Sequence, residues 1–436
     1  MLIPTSRAAA ITALLALAML AWPGRSWWAL AVVNGALLAA LAVDLALCVA
    51  PATVDVVREL PSSMRVGSTG ELAWIIGNSG SRTARATISD ALWPSLAASR
   101  RSVRTVLGPA TRTRATAHLH PVRRGRFPLD RLTVRITGPL GLAARQATRP
   151  TPGSIKVMPA YPSRDAVRRR LRTPRIPDVG VRSVRSAGGG TEFDQLREYR
   201  DGDEFRRIDW PSSMRLQRPI VRQFRTERNQ TVVILLDNGR VMAGTVGAAP
   251  RVEHAMDAAL GLAEATAMMG DRIGMLAFDR QVRAIVPATA GRNQLSQMSE
   301  AMYQLEPDLA ESAYTAAFSA AAARFRRRSL YVVFTDLGEA TIEQTVRPAL
   351  AILVRRHLVV VASVRDPVIG GWAAGREHVW ASDAFRQAAA VSAIESRDRA
   401  AARLRSAGAI VLDAEPGQLA VQLVDTYLEL KASGRL

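Results

Sequence analysis

The sequence predicts a multi-domain chain: an N-terminal transmembrane helical hairpin, an immunoglobulin-like β-sandwich and a C-terminal doubly wound α/β domain. Three observations predict it. Residues 8–50 are almost wholly apolar. Residues 54–159 alternate apolar and polar positions in short runs between turn residues. From Thr231 onward, short apolar runs alternate with helix-length segments. At 436 residues the chain exceeds one compact core, so two or three domains are expected. The predicted divisions are 1–50 (hairpin), 51–160 (sandwich), 161–190 (basic linker), 191–230 (a charged segment) and 231–436 (α/β domain).

A membrane span needs roughly 20 apolar residues. Residues 27–50 satisfy that alone, interrupted by Asn34 and Asp44; the first apolar run does so only if its helix begins near Ile3. Trp22, Trp27 and Trp28 cluster at the turn between them, as an aromatic belt at headgroup level would. No small-residue cleavage pattern stands near Ala21, which argues against a removed signal peptide. Arg7, Arg58 and Arg65 flank the outer ends and only Arg25 lies in the turn, so both ends are expected in the cytoplasm. The expected location is the inner cell membrane, multi-pass, with the large domains cytoplasmic. Asp44 lies within two turns of the span's end and is expected to reach the interface or a polar partner such as Asn34.

In the sandwich region, residues 71–76, 85–89, 113–119 and 131–136 read as strands, punctuated by Gly67-Ser68, Gly77-Asn78, Gly108-Pro109 and Gly138-Pro139. Residues 161–190 hold eight Arg against two Asp and end in three glycines, which reads as a tether able to touch anionic headgroups. In the α/β region, strands are expected at 231–237, 272–278, 330–336, 358–364 and 410–412, with 281–286 as a hairpin extension of the second. Helices are expected at 251–269, 292–305, 312–327, 342–354, 384–407 and 418–430. That alternation makes a mostly parallel sheet.

Composition narrows the function. The net charge is +20, almost all of it from Arg, since Lys156 and Lys431 are the only lysines. The basic residues are not interleaved with stacking aromatics, so no nucleic-acid partner is expected. Cys48 is the only cysteine, which excludes an intrachain disulfide and a thiolate zinc site. The five His are scattered.

Ligands of open parallel sheets bind beyond the carboxyl ends of the strands. Asp237 and Asp336 end two such strands, and a divalent cation there would need further oxygens. Ser312, Thr315 and Thr335 are candidates to supply one, but Gly239 and Val241 beside Asp237 have no side-chain oxygen and Arg240 adds a competing charge. The expected site is therefore degenerate, without a cofactor, Mg2+ being the only candidate. Asp237–Arg240 or Asp336–Arg pairing is preferred to a metal.

The densest local pattern is TEFDQLREYRDGDEFRRIDW, followed by MR, VRQFRTE and VVILLDNGRVM. Arg197, Arg200, Arg206, Arg207, Arg215 and Arg222 alternate with Glu198, Asp201, Asp203, Glu204 and Asp209 around Tyr199, Gly202 and Trp210. Arg forks pair bidentately with carboxylates, so an ion-pair lattice clamping the segment on the following domain is expected. A recognition surface for a partner is the other reading. Surrounding Arg would depress the carboxylate pKa values, a poor setting for general acid work.

This pattern, with Asn78, Arg124-Gly125, the Gly138-Pro-Leu-Gly-Leu run and Val157-Met-Pro upstream, resembles the domain of unknown function 58 family. Asp201 and Met214 depart from it, standing where the family has Pro and Ala. The resemblance implies a von Willebrand factor A-like C-terminal domain, whose metal motif Asp-x-Ser-x-Ser keeps Asp237 but has Gly239 and Val241 for both serines. It also implies partnership with a MoxR-type AAA ATPase. The implied interaction residues are Arg197, Tyr199, Gly202, Asp203, Arg206, Asp209, Trp210, Arg215 and Glu227. The expected function is a bacterial membrane-tethered cytoplasmic scaffold or adaptor working with that ATPase in protein assembly or cell-envelope processes, not an enzyme. The alternative is a metal-dependent, adhesion-type ligand-binding module.

Overall fold

The computed structural model describes residues 1–21, 27–172, 192–200, 205, 208–225, 230–291, 293–375 and 380–436. It divides into two compact units, Met1–Met158 and Pro159–Leu436.

The first unit opens with a short strand, β1 (Leu2–Pro4), and two apolar helices, α1 (Ser6–Ala21) and α2 (Trp27–Leu47). The first helix does not begin near Ile3. Ile3 is paired in β1 with Ala144, and the Thr5 hydroxyl accepts the Ala8 N–H, so the helix starts at Ser6. Its 16 residues rise only about 24 Å, short of the roughly 30 Å hydrocarbon core. Among the described residues, one helix near the N-terminus, beginning at Trp27, is long and apolar enough to cross a membrane. The expected second span is not supported.

The rest of this unit is β-rich: β2 (Val54–Glu59), β3 (Ser63–Arg65), β4 (Gly70–Asn78), β5 (Ala84–Asp90), β6 (Ser102–Leu107), β7 (Arg112–Leu119), β8 (Gly125–Pro128), β9 (Arg131–Thr137), β10 (Ala143–Pro150) and β11 (Ser154–Met158). They form an antiparallel five-stranded sheet β1-β10-β9-β5-β6, an antiparallel three-stranded sheet β2-β4-β7, and a small sheet β3-β11-β8. Burial alternates along β5 and β9, so each turns one face inward. Leu72, Trp74 and Ile76 of β4 share one core with Ile88 of β5 and Val134 and Ile136 of β9. Inside it Arg58 Nη2 pairs with Asp90 Oδ1 at 2.7 Å, and the Trp74 indole N–H donates to Asp90 Oδ2 at 2.8 Å. Arg58 is thus a buried structural cation, not the membrane-flanking charge its sequence position suggested.

Asp44, near the end of α2, is fully buried. It pairs neither with solvent nor with Asn34, whose amide donates to Leu30 O one turn back. Its Oδ1 accepts the N–H of Leu140 at 2.7 Å, and its Oδ2 those of Leu142 at 2.7 Å and Ala143 at 2.8 Å. The loop before β10, Gly138-Pro-Leu-Gly-Leu, therefore wraps an anion supplied by α2. Gly138 must lack a side chain, because a Cβ there would collide with the Asp44 carboxylate.

In the second unit, α3 (Arg164–Arg172) replaces the first part of the expected tether. Val167 is completely buried, Arg168 pairs with Glu264, Arg170 with Asp425 at 2.6 Å, and Ser163 N–H donates to Asp257. The Arg-rich composition misled because these arginines cover acids on neighbouring helices. The remainder of the expected linker, 173–190, lies outside the described residues. Next come β12 (Glu192–Glu198), α4 (Trp210–Leu216) and β13 (Ile220–Arg225), with β12 and β13 forming an antiparallel two-stranded arm.

The main sheet is built from β14 (Thr231–Asp237), β17 (Arg272–Phe278), β18 (Val282–Thr289), β19 (Leu330–Phe334), β20 (Leu358–Val364) and β21 (Ile410–Ala414), in the order β18-β17-β14-β19-β20-β21. All neighbours are parallel except the edge hairpin β17–β18. A small ladder, β15 (Thr245–Val246) with β16 (Ala249–Pro250), follows α5 (Arg240–Ala243). Helices α6 (Arg251–Met269), α7 (Asn293–Met302) and α13 (Leu419–Ala432) pack on one face. On the other lie α8 (Tyr314–Arg324), α10 (Arg347–Val354), which continues α9 (Glu339–Thr341), and α12 (Ala381–Ser406). Central strands are buried on both faces, as β14 shows: Val232, Ile234 and Leu236 join one core and Val233 and Leu235 the other. A further short helix, α11 (Pro367–Ala374), precedes α12. Its Gly370-Gly371 pair disguises it in the sequence, but Asp366 caps it by accepting the Val368 N–H.

Candidate functional site

Parallel pairing brings the carboxyl ends of β14 and β19 side by side, which sets Asp237 next to Thr335 and Asp336. Asp237 is fully buried. Its Oδ1 accepts the Gly239 N–H at 2.9 Å and the Ser312 hydroxyl at 2.5 Å; its Oδ2 accepts the hydroxyls of Tyr314 at 2.6 Å and Thr335 at 2.9 Å. Burial raises its pKa above the usual aspartate value, against the lowering effect of all four donors. The Tyr314 hydroxyl, buried and facing this carboxylate, is held well above its ordinary pKa and so stays a proton donor.

Ser312 and Thr335, named from the sequence only as candidate cation oxygens with no assigned place, donate hydrogen bonds to Asp237 instead; Thr315 is not among the partners of Asp237 described above, and Tyr314 was missed. The geometry explains Gly239. A Cβ there would collide with the Ser312 hydroxyl and come within 3.0 Å of Ala310 O. The Ser312 hydroxyl, from a loop some seventy residues on, thus takes the space that a side chain at 239 would need. Arg240 does not pair with Asp237: it donates to Glu311 at 3.0 Å on the exposed surface.

Asp336 has basic partners instead. Arg397, from the middle of α12, reaches back over the ends of three strands. Its Nη1 donates to Asp336 Oδ1 at 2.6 Å, and its Nη2 to Ser363 Oγ at 2.9 Å and to Asp413 Oδ1 at 2.7 Å. Arg251, at the start of α6, lies 3.5 Å from Asp336 Oδ1. Burial disfavours the Arg397 charge, but Asp413 and Asp336 outweigh it, so the guanidinium stays protonated. Further along α12, Arg399 and Arg403 pair with Glu339, and Arg403 also with Glu343. The extended Arg–carboxylate lattice seen among the described residues is therefore on α12.

In the charged segment, Gly202, Asp203, Arg206 and Glu227 lie outside the described residues. Arg197 donates to Glu198 O at 3.0 Å, and Arg218 pairs with Glu198. Both members of that pair are exposed, so it adds little stability. Asp209 is buried and caps α4, accepting the Ser212 N–H at 2.9 Å. Tyr199 meets Phe205 edge-on at 6.0 Å. On and just before α4 several large apolar side chains are exposed: Phe205 is 70% exposed, Trp210 61% and Met214 79%, with Leu216 and the charged Arg215 also exposed. Trp210 and Met214 are four apart and share a helix face.

Comparison with known proteins agrees with this segment's prominence. The family model "Protein of unknown function DUF58" matches residues 195–369. Uncharacterized proteins of Mycobacterium tuberculosis and Mycobacterium bovis are 29% identical over 188 residues, 41% of this chain and 56% of each relative. The chain thus spans about half the length of these curated relatives. Among solved structures, a conserved hypothetical protein BatB from Bacteroides thetaiotaomicron is 15% identical, covering 47% of this chain and 99% of that one, with a TM-score of 0.31. The SpRpn10 VWA domain is 14% identical, covering 45% and 95%, with a TM-score of 0.29. The doubly wound fold rests on strand order and burial, independently of those likenesses.

Proposed function

We propose that the chain is a membrane-tethered scaffold that works without a metal cofactor and binds a MoxR-type AAA ATPase through the β12–α4–β13 arm, its large domains in the cytoplasm. The observation that carries the protein-binding reading is the exposed apolar face of α4. Trp210 and Met214, and Phe205 shortly before them in the chain, present large side chains to solvent inside the segment that matches the family. Aromatic side chains framed by polar residues have the composition of interface hot spots. The strand-end rim supports the non-catalytic, metal-free part of the reading. Asp336 faces two guanidiniums and Asp237 faces three hydroxyls, so the oxygens a cation would need are already engaged, and by groups that repel it on one side. Helix α2 supplies the tether.

Co-purification of the detergent-solubilised full chain with the cognate ATPase, in ATP, ADP and nucleotide-free states, tests this. Retention in at least one state, unchanged by EDTA in the nucleotide-free arm and reduced roughly tenfold by Trp210→Ala with Met214→Ala, is expected. Failure to retain the ATPase in any state would overturn the partner assignment.

A further inference from the structure

The pole of the sheet opposite Asp237 and Asp336 carries a second site. A cavity of about 230 Å³ opens where β14, β17 and β19 begin. Its walls include Thr231, Arg272, Arg324, Arg326, Arg327 and Ser329. Arg324 is the last residue of α8, and Arg326 and Arg327 stand in the loop that leads into β19. Arg272 comes from the first position of β17, so the chain brings distant guanidiniums to one cleft.

None of these four arginines has a carboxylate partner among the described residues. Arg326 donates only to a backbone oxygen, Ala323 O. Asp271, the acid adjacent to Arg272, is turned away and engaged: it takes the Lys431 ammonium, the Tyr427 hydroxyl and the Gln230 N–H. The contrast within the same unit is informative. Arg168, Arg170, Arg283, Arg397, Arg399 and Arg403 all lie against acids. Four like charges around one cavity repel one another, and an anion relieves that repulsion.

We propose that this cleft binds a phosphate group. Guanidinium forks offer paired N–H donors that match phosphate oxygens, and a dianion balances several of them at once. The size limits the ligand. The volume is below the roughly 300 Å³ at which drug-sized pockets begin, so it suits a phosphate, a pyrophosphate or a lipid headgroup. Phe325, Pro287 and Ala288 complete the lining, and Phe325 is 7% exposed, so the polar edge of the cleft is the arginines. Phosphate in solution and the phosphate of a membrane lipid share this chemistry.

Isothermal titration of the detergent-solubilised full chain separates the two sources. One arm uses inorganic pyrophosphate and the other short-chain phosphatidic acid below its micellar concentration, with short-chain phosphatidylcholine as control. Saturable one-to-one binding in either arm is expected, and the arm that binds identifies the source. The Arg324→Gln, Arg327→Gln double variant should bind at least about tenfold more weakly. The Arg355→Gln, Arg356→Gln double variant, with the same net charge but an intact cleft, should match the wild type. Absence of saturable binding in both arms, or an equal loss in both double variants, would overturn the proposal. Thermal melting of both variants near the wild-type value shows that the comparison is between folded proteins.

Discussion

Arg397 donates to Asp336 at 2.6 Å from a helix that follows it in the chain by sixty residues, and the same guanidinium holds Asp413. All three side chains are largely shielded, between 14% and 18% exposed. Removing the guanidinium leaves Asp413 without its ion-pair partner and Asp336 with Arg251 alone, at 3.5 Å, in a partly buried site. Arg397→Met should destabilise the second unit by about 3 kcal/mol, seen as a lowered melting transition of the full chain. Adding Asp336→Asn and Asp413→Asn should recover part of that loss. A wild-type melting point in Arg397→Met would refute this role.

Asp237 gives a pH signature. Its folded pKa lies above the ordinary 3.8 because burial penalises the charge. The native state therefore holds a proton that the unfolded chain releases, and the associated stability is fully present below about pH 3.8 and lost as pH rises through the raised value. Asp237→Asn cannot ionise and lacks this term. The stability of wild type minus that of Asp237→Asn, from denaturant melts, should fall as pH increases from about 4 toward neutrality. A difference that stays flat or grows would contradict the assignment.

Tyr314 donates to the same carboxylate from within the core. Tyr314→Phe should cost about 1–3 kcal/mol in thermal or denaturant melts, since one donor to a buried charge disappears. It should also steepen the pH dependence, because one of the interactions that lowers the Asp237 pKa is gone.

Gly239→Ser supplies the first serine that an Asp-x-Ser-x-Ser metal motif starting at Asp237 would require. The new Cβ would strike the Ser312 hydroxyl. The variant should lose about 1–3 kcal/mol of stability and gain no Mg2+ affinity by titration calorimetry. Combining it with Ser312→Gly should recover part of the stability.

Asp44 predicts how the apolar N-terminal segment is held to its β-rich neighbour. Asp44→Ala strands three N–H groups of the loop that ends at β10, at a cost of about 2 kcal/mol or more. Limited proteolysis should then cut within residues 138–142, where the wild type resists. Gly138→Ala should do the same by displacing the carboxylate.

Periodicity made the doubly wound sheet legible, because strands such as β14 are apolar throughout and the intervening helices are long. The edge hairpin β17–β18 was legible too. Site partners were not. Tyr314 and Arg397 come from helices 77 and 61 residues beyond the acids they serve, and no local spacing encodes such pairings. Gly239 and Val241 told only that Asp237 has no side-chain oxygen beside it in sequence, and only the fold reveals the Ser312 hydroxyl on it. Composition misled at α3, where arginines that look like a solvated tether cover Glu264 and Asp425. It misled again at Arg58, whose place beside an apolar helix suggested a membrane flank before pairing put it in a β core.

The proposed docking of a MoxR-type ATPase on the α4 face is open to direct test. The most direct measurement places a photo-crosslinking amino acid at Met214 of the full chain in its native membrane and identifies the adducts by mass spectrometry. A MoxR-type AAA ATPase crosslinked at Met214, and absent when the probe stands at Arg355, an exposed position outside the β12–α4–β13 arm, is the expected result. Adducts at Met214 that contain no AAA ATPase, or the same adducts from both positions, would contradict the account.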